Sequence, residues 1–340
     1  MRPRDIAISL EKLIATREPT MIWGPPGGGK SDIAAQVAAR LHADLILSHP
    51  VTDDPTDAKG LPFVIKDGDG AEIADFLPFG ALRRAISADK LTVWMLDDLG
   101  QAMPAVQAAY MQLLLGRRLN GHKLSDNVVF VGASNRQSDR AGVHKMITPL
   151  ANRFAVHLNM EVSTVDWQDW AIKQGIAPEI RAFINFRPDK LSVFDANSGD
   201  VAFASPRSWE KMSKVLTCGL PDHLLPEAAH GCVGKGVGAE FIAFKDKYHS
   251  LPDIDDLIAN PSTTSVPKEP SVCYALCGAL SERLRNDKSI ASAYATYVSR
   301  LDDAYATVAF TDGFAVCPDM MRDPVASGWC KDHKELFFDD

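Results

Sequence analysis

Long hydrophobic runs are absent from this chain, since no stretch approaches the roughly 18 consecutive apolar residues that a membrane-spanning helix needs. We therefore expect no membrane span and no membrane partner. Residues 1–15, MRPRDIAISLEKLIA, are basic and then amphipathic, and they lack the continuous apolar centre of a secretory signal. A cytoplasmic location is the expectation that follows.

Paired cysteines are also missing. All six cysteines lie after residue 217, and none of them forms a CxxC pair. Cys273 and Cys277 have the spacing that places two side chains on one face of a helix, and no histidine lies nearby at zinc-finger spacing. The pattern therefore favours small buried side chains over a metal site.

A general excess of basic charge is lacking as well. The net charge of −8 divides into +1 for residues 1–160 and −9 for the remainder. Binding to a phosphate backbone needs a basic surface, so the acidic second half argues against a nucleic-acid partner. Arg117 and Arg118 leave room for a locally basic pore, although adjacent arginines are more often only solvated.

Short apolar runs alternate with helical patterns over the first 160 residues. Segments such as 31–41 and 104–115 repeat alanine and leucine at helical spacing. The apolar runs between them are short enough for strands: Thr20 to Trp23, Asp44 to Leu47, Thr92 to Leu96, Val128 to Ala133 and Phe154 to Leu158. This alternation predicts an α/β core with a parallel sheet flanked by helices.

Two hairpins interrupt the alternation. Between residues 61 and 80, the turn signal Asp67-Gly68-Asp69-Gly70 separates two strand-like runs, which predicts an inserted β-hairpin. Asn120-Gly121 predicts a second, smaller hairpin.

Helical patterns dominate after residue 160, at 165–174, 178–185, 206–216, 239–248 and 272–284, with a proline-rich connector at 259–270. The predicted domains are a nucleotide-binding core (1–160), an all-α lid (161–262) and a C-terminal helical extension (263–340).

Residues 23–31, WGPPGGGKS, contain a complete GxxxxGK[ST] P-loop pattern between a predicted strand and a predicted helix. Its glycines let backbone N–H groups face phosphates at the positive end of the helix. Lys30 is expected to reach the β- and γ-phosphates, and the Ser31 hydroxyl to bind Mg²⁺. The pattern predicts ATP and Mg²⁺ as ligands, with the nucleotide held by Gly24, Pro25, Pro26, Gly27, Gly28, Gly29, Lys30 and Ser31.

Asp97 and Asp98 end the apolar run of WMLDDL, later in the same predicted sheet. In that position, Asp97 is expected to complete the Mg²⁺ site and Asp98 to orient the attacking water. The alternative is that both acids cap the helix that begins near Pro104, but capping explains one aspartate better than two.

The order of these motifs resembles that of the AAA+ ATPases, and within them the MoxR-like branch, over about residues 18–215. Asn135 in VGASNR matches the sensor 1 residue that helps to place the hydrolytic water. Arg153 in PLANRF matches the arginine finger, which in this family reaches the nucleotide of the adjacent subunit. Arg207 in SPRSWE matches sensor 2. DDPTDAKGLP and the hairpin that follows resemble the insertion of this branch, whose loops face a central pore.

The arginines have other interpretations. Arg136 and Arg140 are rivals for the finger, and Arg153 could instead pair with Asp139 or Asp98. Arg207 could be a helix N-terminal charge without a ligand, although a cation opposes the helix dipole there.

Asp98 departs from the family pattern, because most relatives have glutamate at this point. Aspartate is one methylene shorter, which removes about 1.5 Å of reach. Since a small misplacement of a catalytic group can cost about 100-fold in rate, we expect a slow or partner-dependent ATPase.

The resemblance implies a homo-oligomeric ring, hexameric in the family, that acts as a chaperone and remodels or activates a protein client. In MoxR-like systems the client often carries a von Willebrand factor A domain. One alternative is a nucleotide-gated ring scaffold with negligible hydrolysis, and another is a DNA-acting AAA+ motor or loader. A small-molecule P-loop kinase fits less well, since no acceptor-pocket motif accompanies the helical lid.

Overall fold

The computed structural model describes residues 1–66, 68–139, 145–195, 201–249 and 251–336. Its strands are β1 (Thr20–Trp23), β2 (Asp44–Ser48), β3 (Leu61–Lys66), β4 (Glu72–Leu77), β5 (Thr92–Leu96), β6 (Arg118–Leu119), β7 (His122–Lys123), β8 (Val128–Ser134) and β9 (Val156–Asn159). Its α-helices are α1 (Pro3–Thr16), α2 (Lys30–Arg40), α3 (Pro55–Lys59), α4 (Gly80–Ile86), α5 (Pro104–Gly116), α6 (Thr148–Ala151), α7 (Thr164–Gln174), α8 (Pro178–Phe186), α9 (Pro206–Thr217), α10 (Leu225–Val233), α11 (Lys235–His249), α12 (Ile254–Ala259), α13 (Pro270–Asn286), α14 (Ala291–Val298), α15 (Asp303–Val316) and α16 (Pro324–Asp332).

Five strands form a parallel sheet in the order β2–β5–β8–β1–β9. The inner strands β5 and β8 are buried on both faces, so successive side chains of one strand enter two different apolar clusters. In β5, Trp94 and Leu96 belong to one cluster, whereas Val93 and Met95 belong to the other. This two-sided burial explains why the sequences of β5 and β8 are almost continuously apolar.

Helices cover the two faces of the sheet. Ile6 of α1 and Val37 of α2 pack in the cluster of Val93, and Leu82 of α4 and Val106 of α5 pack in the cluster of Trp94. The predicted α/β fold is confirmed: a parallel sheet is flanked by helices, a β-hairpin is inserted, and the described residues after Ser163 are mainly helical.

The inserted hairpin pairs β3 with β4 in antiparallel register, from Leu61 opposite Leu77 to Lys66 opposite Glu72. Gly60 begins it with φ 91°, and a Cβ there would lie 2.9 Å from the Leu77 carbonyl oxygen, so this position requires glycine. Of the predicted turn, Asp67 lies outside the described residues.

The second predicted hairpin is also present. β6 pairs with β7 across Asn120 and Gly121, whose φ values of 49° and 81° match the Asn-Gly turn that the sequence predicts. Its Asn120 side chain donates to the Lys59 carbonyl (2.9 Å), and a ring nitrogen of His122 lies 2.8 Å from the Phe76 carbonyl oxygen. The small hairpin therefore anchors the base of the larger one.

The chain divides into two compact units. The first comprises Met1–Ser163 and Phe194–Ser198, and the second, which is mainly helical, comprises Thr164–Val193 and Gly199–Asp340. Helices on both sides of residue 262 share an apolar cluster there, which includes Leu257 of α12, Leu276 of α13 and Phe310 of α15. The domain boundaries at 160 and 262 stay predictions, because shared packing does not show which segments fold independently. Among the described residues, no helix is long and apolar enough to cross a membrane.

A buried charge cluster lies inside the second unit. The Arg181 side chain, which is 1% exposed, lies 3.4 Å from a Glu282 carboxylate oxygen and 3.8 Å from one of Asp312. Its Nε donates to the Ile176 carbonyl (3.2 Å). Burial raises the pKa of Asp312 to about 6, and Arg181 offsets only part of that rise. The cluster joins α8, α13 and α15 through charge as well as apolar packing.

The raised pKa of Asp312 predicts a pH dependence of folding. Because the folded pKa exceeds the ordinary value of 3.8, the native state binds more protons between about pH 4 and 6, and the free energy of unfolding falls as pH rises through that window. Asp312→Asn removes this titration, which changes the free energy of unfolding by up to about 3 kcal/mol. We therefore expect the free energy of unfolding of the parent to fall, relative to that of the variant, between pH 4 and pH 7.

Urea unfolding at several pH values measures this difference. Asp319→Asn is the matched control, because the Asp319 side chain is 87% exposed and pairs only with the equally exposed Arg322. A parent-to-variant difference that is the same at pH 4 and pH 7 for Asp312→Asn would contradict the prediction.

Candidate functional site

Three of the predicted site segments leave the sheet at its carboxyl edge. Gly24 follows β1, Asp97 follows β5 and Asn135 follows β8, and β8 lies between the other two strands. The Gly24 N–H donates to the Ser134 carbonyl (3.3 Å), which aligns the ends of β1 and β8. In open parallel sheets, ligands bind outside this edge.

The P-loop adopts a conformation that depends on its glycines. Gly27 and Gly29 have φ values of 70° and 91°, in the region that residues with a side chain rarely adopt. α2 begins at Lys30, directly after Gly29, so the N–H groups of its first turn, which have no acceptor within the helix, belong to this loop. A Cβ at Gly29 would meet no atom within 4 Å, which leaves open space beside the backbone.

Met160 closes the other side of the loop. It is fully buried, and a Cβ at Gly24 or Gly28 would lie 3.2 or 3.0 Å from its side-chain atoms. The Met160 N–H donates to the Trp23 carbonyl (2.7 Å), which ties the end of β9 to the end of β1. The loop glycines thus permit close packing as well as the turn.

Lys30 is almost buried, with 6% exposure. Its ammonium group donates to the carbonyls of Gly24 (3.0 Å) and Pro25 (2.9 Å) and to Oδ1 of Asn135 (2.8 Å). The structure therefore joins the P-loop lysine directly to Asn135, the predicted sensor 1 residue, which follows another strand.

The two aspartates of WMLDDL have different environments. The Asp97 N–H donates to the Ser48 carbonyl (2.9 Å), and the Asp97 carboxylate accepts from the Asp98 N–H (3.1 Å) and lies 3.9 Å from His49 Nδ1. Asp98 has φ 53°, a left-handed conformation that aspartate and asparagine tolerate better than most residues. It precedes a 3-10 turn, Leu99–Gln101, without a side-chain cap, so capping does not explain Asp98.

The residues present fit Mg²⁺ in the manner of a nucleotide-bound ion. The Ser31 hydroxyl and the Asp97 carboxylate are hard oxygen donors, the kind that Mg²⁺ prefers, and phosphate and water oxygens usually complete such a site. No group of three or more His, Cys, Asp or Glu side chains that could hold a metal by itself occurs in the described ranges.

The predicted arginines lie in different surroundings. The Arg136 side chain has two partners within the first unit. Its Nη2 donates to the Met160 carbonyl (3.1 Å), and its Nε lies 3.8 Å from a carboxylate oxygen of Asp139. Arg153 donates from Nη1 to the Pro149 carbonyl (2.6 Å). The predicted alternative partner Asp139 is thus engaged with Arg136.

Two further arginines were named from the sequence. Arg140 lies outside the described residues. Arg207 is exposed in the first turn of α9, in the second unit, where Ser205 and Ser208 form a capping box. The roles of Arg153 and Arg207 stay predictions.

Sequence reasoning missed two residues near the site. His49 follows β2 at the same sheet edge as Asp97, and its position two residues after the predicted strand that ends at Leu47 was a usable signal. Met160 had no such signal, because its role depends on packing against glycines that are distant in the chain.

Comparisons with known proteins concern the fold. No protein-family model and no curated protein matches this chain. Among solved structures, it is similar to the RuvB Holliday junction branch migration motor of Thermotoga maritima, with 14% identity and a TM-score of 0.41 over 82% of this chain and 80% of that one. It is also similar to NtrX of Brucella abortus in complex with ADP, with 15% identity and a TM-score of 0.41 over 98% and 68%.

The contacts of Arg136 predict that it contributes more to folding than Arg153 does. Arg136→Ala removes a charged hydrogen bond and an ion pair, and we expect it to lower the free energy of unfolding by about 1–3 kcal/mol. Arg153→Ala removes one hydrogen bond near the surface, and we expect a loss below about 1 kcal/mol. Urea unfolding of the two purified variants beside the parent compares them directly. An equal loss, or a larger one for Arg153→Ala, would refute this ranking.

Proposed function

We propose that this chain is a MoxR-like AAA+ ATPase that binds and hydrolyses ATP with Mg²⁺ and uses the energy to remodel or activate a protein client. The observation that carries the proposal is the convergence of a glycine-dependent P-loop, Lys30 and Asn135 at one edge of a parallel sheet. The order of sequence motifs supports the assignment to this branch.

The roles of the chain's own residues follow from their chemistry. The N–H groups at the start of α2 would bind phosphate oxygens, and Lys30 would neutralise charge on the β- and γ-phosphates. Ser31 and Asp97 would hold Mg²⁺, which supplies further charge neutralisation when it is bound. Asp98 would orient the attacking water and accept its proton, with Asn135 placing that water.

Lys30→Ala tests the nucleotide-binding part of the proposal. We expect it to weaken ATP binding at least about 10-fold, since charged hydrogen bonds to phosphate are lost. Titration calorimetry with ATP and Mg²⁺ measures the affinity, and Lys12→Ala, at an exposed position on α1, is the matched control. If the parent binds no nucleotide, or if Lys30→Ala binds as tightly as the parent, the proposal is wrong.

The second candidate function is a nucleotide-gated scaffold, which the short side chain of Asp98 favours. Variants of Asp98 distinguish it from an ATPase that hydrolyses its nucleotide. If Asp98 is the general base, Asp98→Asn should lower turnover at least about 100-fold, because such groups contribute about 10²–10⁴-fold. Asparagine tolerates the φ of 53°, so the backbone is retained. Phosphate release, with and without candidate partners, is the measurement.

Asp98→Glu supplies the opposite change. It restores the missing methylene, and we expect faster turnover, with a backbone cost of up to about 1–2 kcal/mol because glutamate is less suited to a left-handed conformation. Thermal unfolding checks that the variant is folded. Should Asp98→Asn leave partner-stimulated turnover unchanged, the general-base role is wrong, and negligible turnover in the parent, with ATP still bound, would favour the scaffold.

The ring and the client belong to the same proposal. If Arg153 completes the site of a neighbouring subunit, a single chain is inactive and a ring, hexameric in the family, is required. Arg153 makes a single local backbone contact among those given above, which leaves it better suited to this role than Arg136. Sedimentation with and without ATP tests ring assembly.

The inserted hairpin is the surface best suited to a client. Leu61, Phe63 and Val64 of β3 are 52–59% exposed, and Ile73 and Leu77 of β4 are also exposed. Exposed apolar patches of this kind mark interaction sites. A von Willebrand factor A domain is the client class that the motif resemblance suggests. A DNA substrate remains the competing proposal, disfavoured by the acidic charge, and a gel-shift assay at varied salt tests it.

A further inference from the structure

The hydrogen bonds of Lys30 have a consequence for nucleotide affinity. A lysine ammonium has three N–H donors, and among the described residues the acceptors of Lys30 include the carbonyls of Gly24 and Pro25 and the side-chain oxygen of Asn135. All three donor–acceptor distances lie between 2.8 and 3.0 Å, so each is a well-formed bond. A phosphate that binds Lys30 therefore competes with these acceptors, Asn135 among them.

Asn135 differs from the other two acceptors in its place in the chain. Gly24 and Pro25 belong to the P-loop itself, so their carbonyls move with the loop, whereas Asn135 follows β8 and is 105 positions away from Lys30. Its backbone is fixed because β8 is buried and paired on both sides, with β1 and β5. The amide therefore holds the ammonium toward the sheet from a rigid position.

We propose that Asn135 acts as a restraint on Lys30 that lowers the affinity of the P-loop for phosphates, besides its expected part in placing the hydrolytic water. This inference rests on the proposed function and adds a positioning role that opposes binding. Asn135 acts through Lys30, since its bond stabilises the lysine in an arrangement with which a nucleotide must compete.

The restraint predicts an unusual separation of two effects in one variant. Asn135→Ala removes one hydrogen-bond acceptor from a nearly buried ammonium, which raises the free energy of the unliganded arrangement. Binding of a phosphate should then become tighter. Loss of the amide from the hydrolytic site should at the same time slow turnover. A residue that only supports the fold would weaken both properties together.

ADP is the probe that isolates the restraint, because it lacks the γ-phosphate that a sensor 1 residue is expected to approach. We expect Asn135→Ala to bind ADP about 5-fold more tightly than the parent, which corresponds to about 1 kcal/mol. The gain for ATP should be smaller, and turnover should fall. Titration calorimetry and phosphate release on the full chain give the three values.

Asn127→Ala is the matched control. Asn127 lies just before β8, at the opposite edge of the same sheet, and its side-chain amide donates to the Ala88 carbonyl (3.3 Å). This variant loses an equivalent side chain without touching Lys30, so its ADP affinity should equal that of the parent. Asn135→Ser provides a second test of the restraint, because its shorter side chain should reproduce the tighter ADP binding even if the alanine variant is poorly folded.

The outcomes separate the inference from the proposed function. If the parent binds neither ADP nor ATP, both fail. If the parent binds ADP and both Asn135 variants bind it equally or more weakly while remaining folded, the restraint is wrong and the ATPase proposal stands. Tighter ADP binding in Asn135→Ala and Asn135→Ser, but not in Asn127→Ala, supports the restraint.

Discussion

The parallel pairing of β8 with β1 on one side and β5 on the other is the constraint on which the rest of the first unit depends. It ends three strands at the same edge in register, with Trp23 opposite Ser134 and Leu96 opposite Gly132. A shift of one residue would move every side chain of a strand to the other face of the sheet. The apolar clusters on both faces exclude such a shift, so the hydrophobic core also fixes the positions of the polar residues that follow the strands.

The site combines a rigid frame with polar contacts that must exchange when a ligand binds. Met160 packs beneath Gly24 and Gly28, and its carbonyl accepts from Arg136, so the floor of the P-loop is fixed. Lys30, in contrast, is held by hydrogen bonds that a phosphate can replace. In preorganised sites, packed residues commonly hold the backbone in place while polar groups exchange their hydrogen bonds with the ligand. Arg136, the neighbour of Asn135 in the chain, belongs to the rigid frame, because it donates to the Met160 carbonyl.

Much of the fold was predictable because its signals are local. A strand buried on both faces reads as a short apolar run, and the P-loop places all its required residues within nine positions, 23–31. Asn120-Gly121 predicted its turn for the same reason. The individual helices after residue 286 were not predicted. α15, for example, contributes apolar residues on several sides, so it lacks the single apolar stripe that identifies a surface helix.

The parts of the site that escaped prediction depend on contacts between distant segments. No local pattern shows that Asn135 accepts from Lys30 or that Arg136 binds the Met160 carbonyl. The left-handed backbone of Asp98 could not be predicted from the sequence either. It affects whether aspartate or glutamate is suited to this position, a choice that the sequence related only to the length of the side chain.

The exposed hairpin has a cost for the free protein. A β-ribbon with apolar side chains in water can pair with other chains, and natural proteins oppose such aggregation with charged gatekeeper residues. Lys66, Asp69 and Glu72 occupy the tip of this ribbon, where they keep one end soluble while Phe63 and Val64 remain exposed along its length. Burial of this hairpin in an assembly would therefore remove exposed apolar surface that otherwise favours aggregation.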